Sequence, residues 1–132
     1  MENKTTEFSF VLKKSKYGVG VFAVHGIKAK TFLKLFGDQV PGKKVAKKRK
    51  KEDLPKIFQE YCIDRGDIML CPKDFGRMEV GWHLNHSKKP NAAHKNYKYY
   101  ALRDIKEGEE ITIDYNSLEE PEENKETYYK HT

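Results

Sequence analysis

Residues 85 to 91 read Asn-His-Ser-Lys-Lys-Pro-Asn, and Pro90 forbids a helix through them. Polar side chains crowd the stretch, and Leu84 is the only apolar residue at its start. Asn85 and Asn91 each carry a donor and an acceptor, and His86 can act as either. The sequence predicts a loop that holds a polar ligand or pins a crossing of the chain. Further on comes Gly108-Glu109-Glu110-Ile111-Thr112-Ile113-Asp114-Tyr115. Ile111 and Ile113 alternate with polar residues, which predicts a half-buried strand ending on Tyr115. Apolar packing of that strand delivers a phenol to a fixed place.

Short elements surround these two segments. Phe8 to Leu12 and Val21 to Val24 predict strands joined by the glycine-marked turn Ser15 to Gly20. Phe32 to Phe36 and Val40 predict further short strands, and Pro41-Gly42 a turn. Lys43, Lys44, Lys47, Lys48, Arg49, Lys50 and Lys51 then repel one another, which predicts a solvated loop. Asp53 as N-cap and Pro55 in the first turn open a helix that Gly66 ends. Leu54, Ile57, Phe58 and Tyr61 have the spacing of its buried face. Ile68 to Leu70, Tyr97 to Leu102 and Glu110 to Tyr115 predict the remaining strands. Many short strands with one short helix make a mostly-β α+β domain.

At 132 residues the chain is one domain, residues 1–132, with a core over about 8–116 and a polar tail over 117–132. Hydrophobic content is 37%, so much of the chain must be surface and loop. No run of 18 apolar residues exists to form a membrane-spanning helix. The start, Met-Glu-Asn-Lys-Thr-Thr-Glu, lacks the apolar stretch of a secretory signal. Cys62 and Cys71 are expected as reduced, buried thiols of an intracellular protein, in nucleus or cytoplasm. They are too few for a cysteine-based zinc site. His83 and His86 stand three apart, without the nearby carboxylate or Cys partners of a metal site.

The net charge of +6 is uneven. Residues 107 to 126 hold nine carboxylates and one lysine, which serve solubility or attract a lysine-rich substrate. The basic run is a solvated loop, a nuclear-localisation signal or a nucleic-acid patch. No aromatic residue interleaves it, so base stacking is not supported.

Four motifs, in order, resemble the SET-domain protein-lysine methyltransferases. They are Ser15-Lys16-Tyr17-Gly18-Val19-Gly20-Val21-Phe22-Ala23, Asn85-His86-Ser87 with Pro90-Asn91, Tyr99 to Ile105, and Gly108 to Tyr115. The resemblance covers roughly residues 8 to 116 and is closest to the compact stand-alone members of viruses and bacteria. It implies several small sheets, with the last strand threaded past the Asn-His-Ser segment in a pseudoknot. It implies S-adenosylmethionine as cofactor, held by Tyr17, Gly18, Val19, Gly20, Asn85, His86 and Tyr115. Asn85 would meet the cofactor's amino-acid end and the His86 backbone its adenine edge. Tyr115 stands at the position of the catalytic tyrosine. Tyr61, in Glu-Tyr-x-Ile, matches a shorter family segment whose tyrosine lines the lysine channel. His94, Tyr97, Tyr99 and Tyr100 follow Asn91, where the family often places an aromatic that limits the number of methyl groups.

Each of these residues also has a plain structural reading. Gly18 and Gly20 make a turn, Asn85 and His86 satisfy a loop, and Tyr115 and Tyr61 fill a core. The chain also departs from the family. Lys88 stands where many members have a zinc-binding Cys, and no cysteine cluster follows, so no zinc is expected. Lys30 replaces a usual glycine, Trp82-His83 replaces Arg-Phe, and Asn116 stands where glycine often follows the tyrosine. The resemblance implies a lysine methyltransferase acting on a histone-like basic protein. The alternatives are a catalytically inactive binding module of the same fold and a small basic nucleic-acid-binding protein. A homodimer is left open.

Overall fold

The computed structural model describes residues 5–16, 18–36, 46–95 and 98–118. Its elements are small, as the frequent Gly, Pro and Asp punctuation requires. Strands β1 (Phe10–Ser15) and β2 (Gly18–Ala23) form a hairpin in register Phe10↔Ala23 to Ser15↔Gly18. Strand β3 (Phe32–Leu33) follows, then β4 (Ala46–Lys50). A single-turn helix α1 (Lys56–Gln59) leads to β5 (Ile63–Asp64) and β6 (Ile68–Pro72). Next come β7 (Asn85–His86), β8 (Ala92–Lys95), β9 (Lys98–Ala101) and β10 (Glu110–Ile113).

Three sheets result, in the orders β1-β2-β10-β7, β3-β9-β8 and β4-β6-β5. The last strand is laid between the hairpin and the Asn-His segment. It runs antiparallel to β2, Ile111 facing Val21, and parallel to β7, Thr112 facing Asn85 and Ile113 facing His86. This is the crossing expected of the pseudoknot. Val21, Leu33, Leu35, Ile105, Ile111 and Ile113 pack at its centre with Leu84, Ala92 and Tyr99. A second, smaller cluster of Leu54, Met69 and Cys71 sits under the β4-β6-β5 sheet.

Asn91 holds the crossing together. Its side chain is buried and spans the β10 backbone, accepting from Thr112 N–H at 2.9 Å and donating to Glu110 C=O at 2.7 Å. One amide thereby satisfies two backbone groups that the sheet leaves unpaired.

The basic run is not a loop where it is described: Ala46–Lys50 is a strand in register with β6, Ala46↔Pro72 to Lys50↔Ile68. Repulsion is offset because Arg49 donates to the Pro72 and Lys73 carbonyls and lies 5.1 Å over the Phe75 ring. Lys51 is likewise paired with Asp64 at 2.7 Å. A charged edge strand also discourages pairing with other chains. Lys43, Lys44, Val40 and the turn at Pro41-Gly42 lie outside the described residues.

The helix expected between Asp53 and Gly66 shrinks to Lys56–Gln59, with Pro55 rather than Asp53 at its N-cap. Leu54 is buried, but Ile57 is 69% exposed and Phe58 is exposed too, so most of the apolar face inferred from spacing is uncovered. A helix without such packing does not persist in water. The chain instead turns to pair β5 with β6. The strand expected over Phe32 to Phe36 stops at Leu33, because Leu35 N–H turns back to Leu33 C=O. The Asn85-His86 stretch, expected as loop, is a short strand, and β10 ends at Ile113 rather than Tyr115.

Candidate active site

The strand order brings the sequence-predicted residues together. Gly18, Val19 and Gly20 lie on β2, Asn85 and His86 on β7, and Tyr115 just beyond β10, which runs between them. Tyr17 lies outside the described residues. Gly18 has φ +105°, a conformation L side chains rarely adopt. Gly20 is needed for space, because a Cβ there would collide with the Glu110 carboxylate and with Ser15.

Asn85 locks this corner. Its Nδ2 donates to Glu110 Oε2 at 2.8 Å, Val19 C=O at 3.1 Å and Ser15 Oγ at 3.3 Å. Three acceptors around one nitrogen fix the amide orientation. Ser15 Oγ in turn donates to Glu110 Oε1 at 2.9 Å. Gly18 and Val19 are exposed while Gly20 is buried, so it is the start of this strand that faces solvent. At this corner the Glu110 carboxylate can accept from an ammonium, and the Asn85 amide has its orientation set. Ser15 and Glu110 were not singled out from the sequence. Their signal was adjacency, Ser15 before the glycine turn and Glu110 inside the Gly-Glu-Glu motif.

Tyr115 is held from three sides. Asp114 starts the turn Tyr115–Leu118, its Oδ1 accepting from Asn116 N–H at 2.9 Å. Tyr115 N–H donates to His86 Nδ1 at 3.0 Å, and the two rings lie 5.4 Å apart. The Tyr115 hydroxyl donates to Leu84 C=O at 2.5 Å. His86 is buried, and burial pushes its imidazole pKa down, against a smaller opposite pull from Asp114. A neutral ring with its hydrogen on Nε2 agrees with an Nδ1 that accepts. His86 therefore pins the crossing through its side chain, whatever its backbone contacts.

Asn116 stands where a glycine would permit a left-handed conformation. It needs none: among the described residues Lys30, at φ 69°, is the non-glycine with positive φ.

Tyr61 follows α1, and its ring meets His83 edge-on at 5.7 Å. His83 ends the turn Val80–His83, directly before the Leu84 carbonyl that holds Tyr115. Both candidate tyrosines thus contact the same two-residue step, His83-Leu84. Burial lowers the His83 pKa, and among the described residues His83 Nδ1 and Trp82 Nε1 are buried without a hydrogen-bond partner. Buried polar side-chain atoms ordinarily have one. The sequence signal for His83 was its departure from the family's Phe, which by itself said nothing of Tyr61.

The four aromatic candidates after Asn91 separate. Tyr99 is buried in the core, 5.9 Å from Phe36, and Tyr100 packs against Phe32 at 5.6 Å. His94 instead reaches the turn that carries Tyr115, through Nε2 and Ser117 C=O at 3.1 Å. Tyr97 lies outside the described residues. Among the described residues no group of three His, Cys, Asp or Glu is placed to hold a metal ion. Likewise, no helix there is long and apolar enough to cross a membrane.

The fold is similar to that of a solved protein. A Plasmodium falciparum candidate histone methyltransferase of known crystal structure superposes with a TM-score of 0.51 at 23% identity, over 83% of this chain and 95% of that one. At that identity the likeness speaks for the fold. No curated protein sequence matches this chain. The sequence matches the SET domain over residues 18–116, which takes in the glycine strand, Asn85, His86 and Tyr115, and the chain belongs to the SET-domain family.

Proposed function

We propose that this protein is an S-adenosylmethionine-dependent protein-lysine N-methyltransferase acting on a histone or another lysine-rich basic protein. The observation that carries the reading is the placement of Tyr115. Its phenol is tied to Leu84 C=O beside the strand pair that presents Asn85 and the glycine segment.

S-adenosylmethionine supplies a methyl group on a sulfonium, which a neutral lysine amine can take up in line. The chain's residues have to hold and desolvate that amine. Gly18, Val19, Gly20, Asn85 and Glu110 form the cofactor corner. Tyr115 gives its hydroxyl proton to Leu84, so its oxygen faces any amine as an acceptor. The rings of Tyr115, His86, Tyr61 and His83 supply apolar walls that disfavour the ammonium form. Free lysine titrates near ~10.4, so this bias toward the neutral amine matters at pH 7. Positioning supplies most of the remaining rate.

The test is calorimetry with S-adenosylmethionine, before and after chelation, on wild type and Asn85→Ala. The reading expects metal-independent binding by wild type and weakened binding by Asn85→Ala. Binding or folding lost with the chelator would refute the zinc-free reading, and unchanged affinity in Asn85→Ala would remove Asn85 from the site.

A further inference from the structure

We propose that the edge of strand β4 is a docking surface for the phosphate backbone of duplex DNA. The strand is terminal in its sheet, so one edge faces away from β6. Two of its neighbouring cations are committed to the fold. Arg49 is fixed on two carbonyls and the Phe75 ring, and Lys51 on Asp64. Lys47, Lys48 and Lys50 are exposed and form no salt bridge among the described residues. Lys73, also exposed, follows the Pro72 that pairs with Ala46, which extends the cationic edge at its Lys47 end.

The pairing fixes where these ammonium groups go. Lys48 and Lys50 project on one face, opposite Leu70 and Ile68, and Lys47 on the other, opposite Cys71. Lysine stems can lie along such apolar neighbours while their heads stay in water. The cations therefore straddle one rigid edge rather than sampling a mobile loop. Glu52 and Asp67 border the hollow beside Lys50 and Lys51, which bounds the patch at that end.

The chemistry favours nucleic acid over an acidic protein. A protein interface needs buried aromatic or Arg anchors, and the Arg here is already spent on the fold. Point-charge lysines without interleaved aromatics make sequence-independent phosphate contacts. A polyanion would also draw this chain of net charge +6 and a lysine-rich protein onto one surface.

The test is anisotropy of a short fluorescent DNA duplex titrated with protein over a range of salt, without cofactor. Wild type should bind with a steep negative salt slope. Replacing Lys47, Lys48 and Lys50 with Gln, with Arg49 and Lys51 kept, should lower that slope by ~2–3, about one per phosphate contact. Lys48→Gln alone should lower it by ~1, which keeps the proposal open to refutation if the triple variant folds poorly. An unchanged slope in Lys48→Gln overturns the proposal, as does equal binding to polyglutamate or to anionic vesicles at the same salt. Because no turnover is read, the outcome is separate from that of the methyltransferase reading.

Discussion

Tyr115 and His86 are coupled through one backbone N–H, and that bond sets a pH limit on the site. Burial holds the His86 pKa below its ordinary 6.5, so the folded chain resists protonation that the unfolded chain accepts. The linkage sign follows: stability is full above pH 6.5 and declines as pH falls below it. Protonation of Nδ1 also removes the acceptor for Tyr115 N–H. We expect the near-ultraviolet signal of Tyr115 and the melting temperature to fall together below that pH, and His86→Gln to flatten the slope. A melting temperature level from pH 7 to pH 5 would contradict this. Lys30 is a second residue-scale case. It holds φ 69°, where a left-handed L residue costs ~1–2 kcal/mol. Glycine adds ~0.5–1 kcal/mol of unfolded-state entropy. Lys30→Gly should therefore gain up to about 1.5 kcal/mol in urea denaturation.

At the scale of elements, the two segments that organise the sequence also organise the fold, because their chemistry is local and exacting. Ile111 and Ile113 alternate in a way only a half-buried strand satisfies. What did not read out was set by distant partners. The lysine run becomes a strand because Pro72 and Lys73 carbonyls and the Phe75 ring await Arg49, more than twenty residues away. The helix after Asp53 fails because Ile57 is left exposed among the described residues. Asn91 illustrates the same dependence: its motif was visible, but its bonds to Thr112 and Glu110 exist only once β10 is threaded. Asn91→Ala leaves both groups unpaired at ~1–3 kcal/mol each, so a loss of about 2–6 kcal/mol is expected. A loss under about 1 kcal/mol would mean that water replaces the clamp.

For the whole molecule, the site is assembled from the hairpin, the crossing and the last strand, so activity and folding share one structure. The turn before β10 ties them to pH as well. The Arg103 hydrogen bond, aided by Lys106 N–H and Asn91, holds the Glu109 carboxyl down to about 2. Its contribution is present above pH 4.5 and lost as pH falls toward 2. The glycine corner, Asn85, His86 and Tyr115 were legible because motif spacing survives without tertiary knowledge. The pairing of Tyr61 with His83, and the division of the basic run into structural and solvent-facing cations, depended on folding. The most direct measurement is transfer of label from methyl-labelled S-adenosylmethionine to histones, a cell extract and derived peptides, wild type beside Tyr115→Phe, with cofactor affinity measured in parallel. Label is expected on lysine with wild type, rising toward alkaline pH as the amine deprotonates. Tyr115→Phe should lower transfer by ~10²–10³ with cofactor affinity intact, as for loss of one preorganised contact at a reacting centre. Transfer by Tyr115→Phe at the wild-type rate would contradict it, making Tyr115 a packing residue.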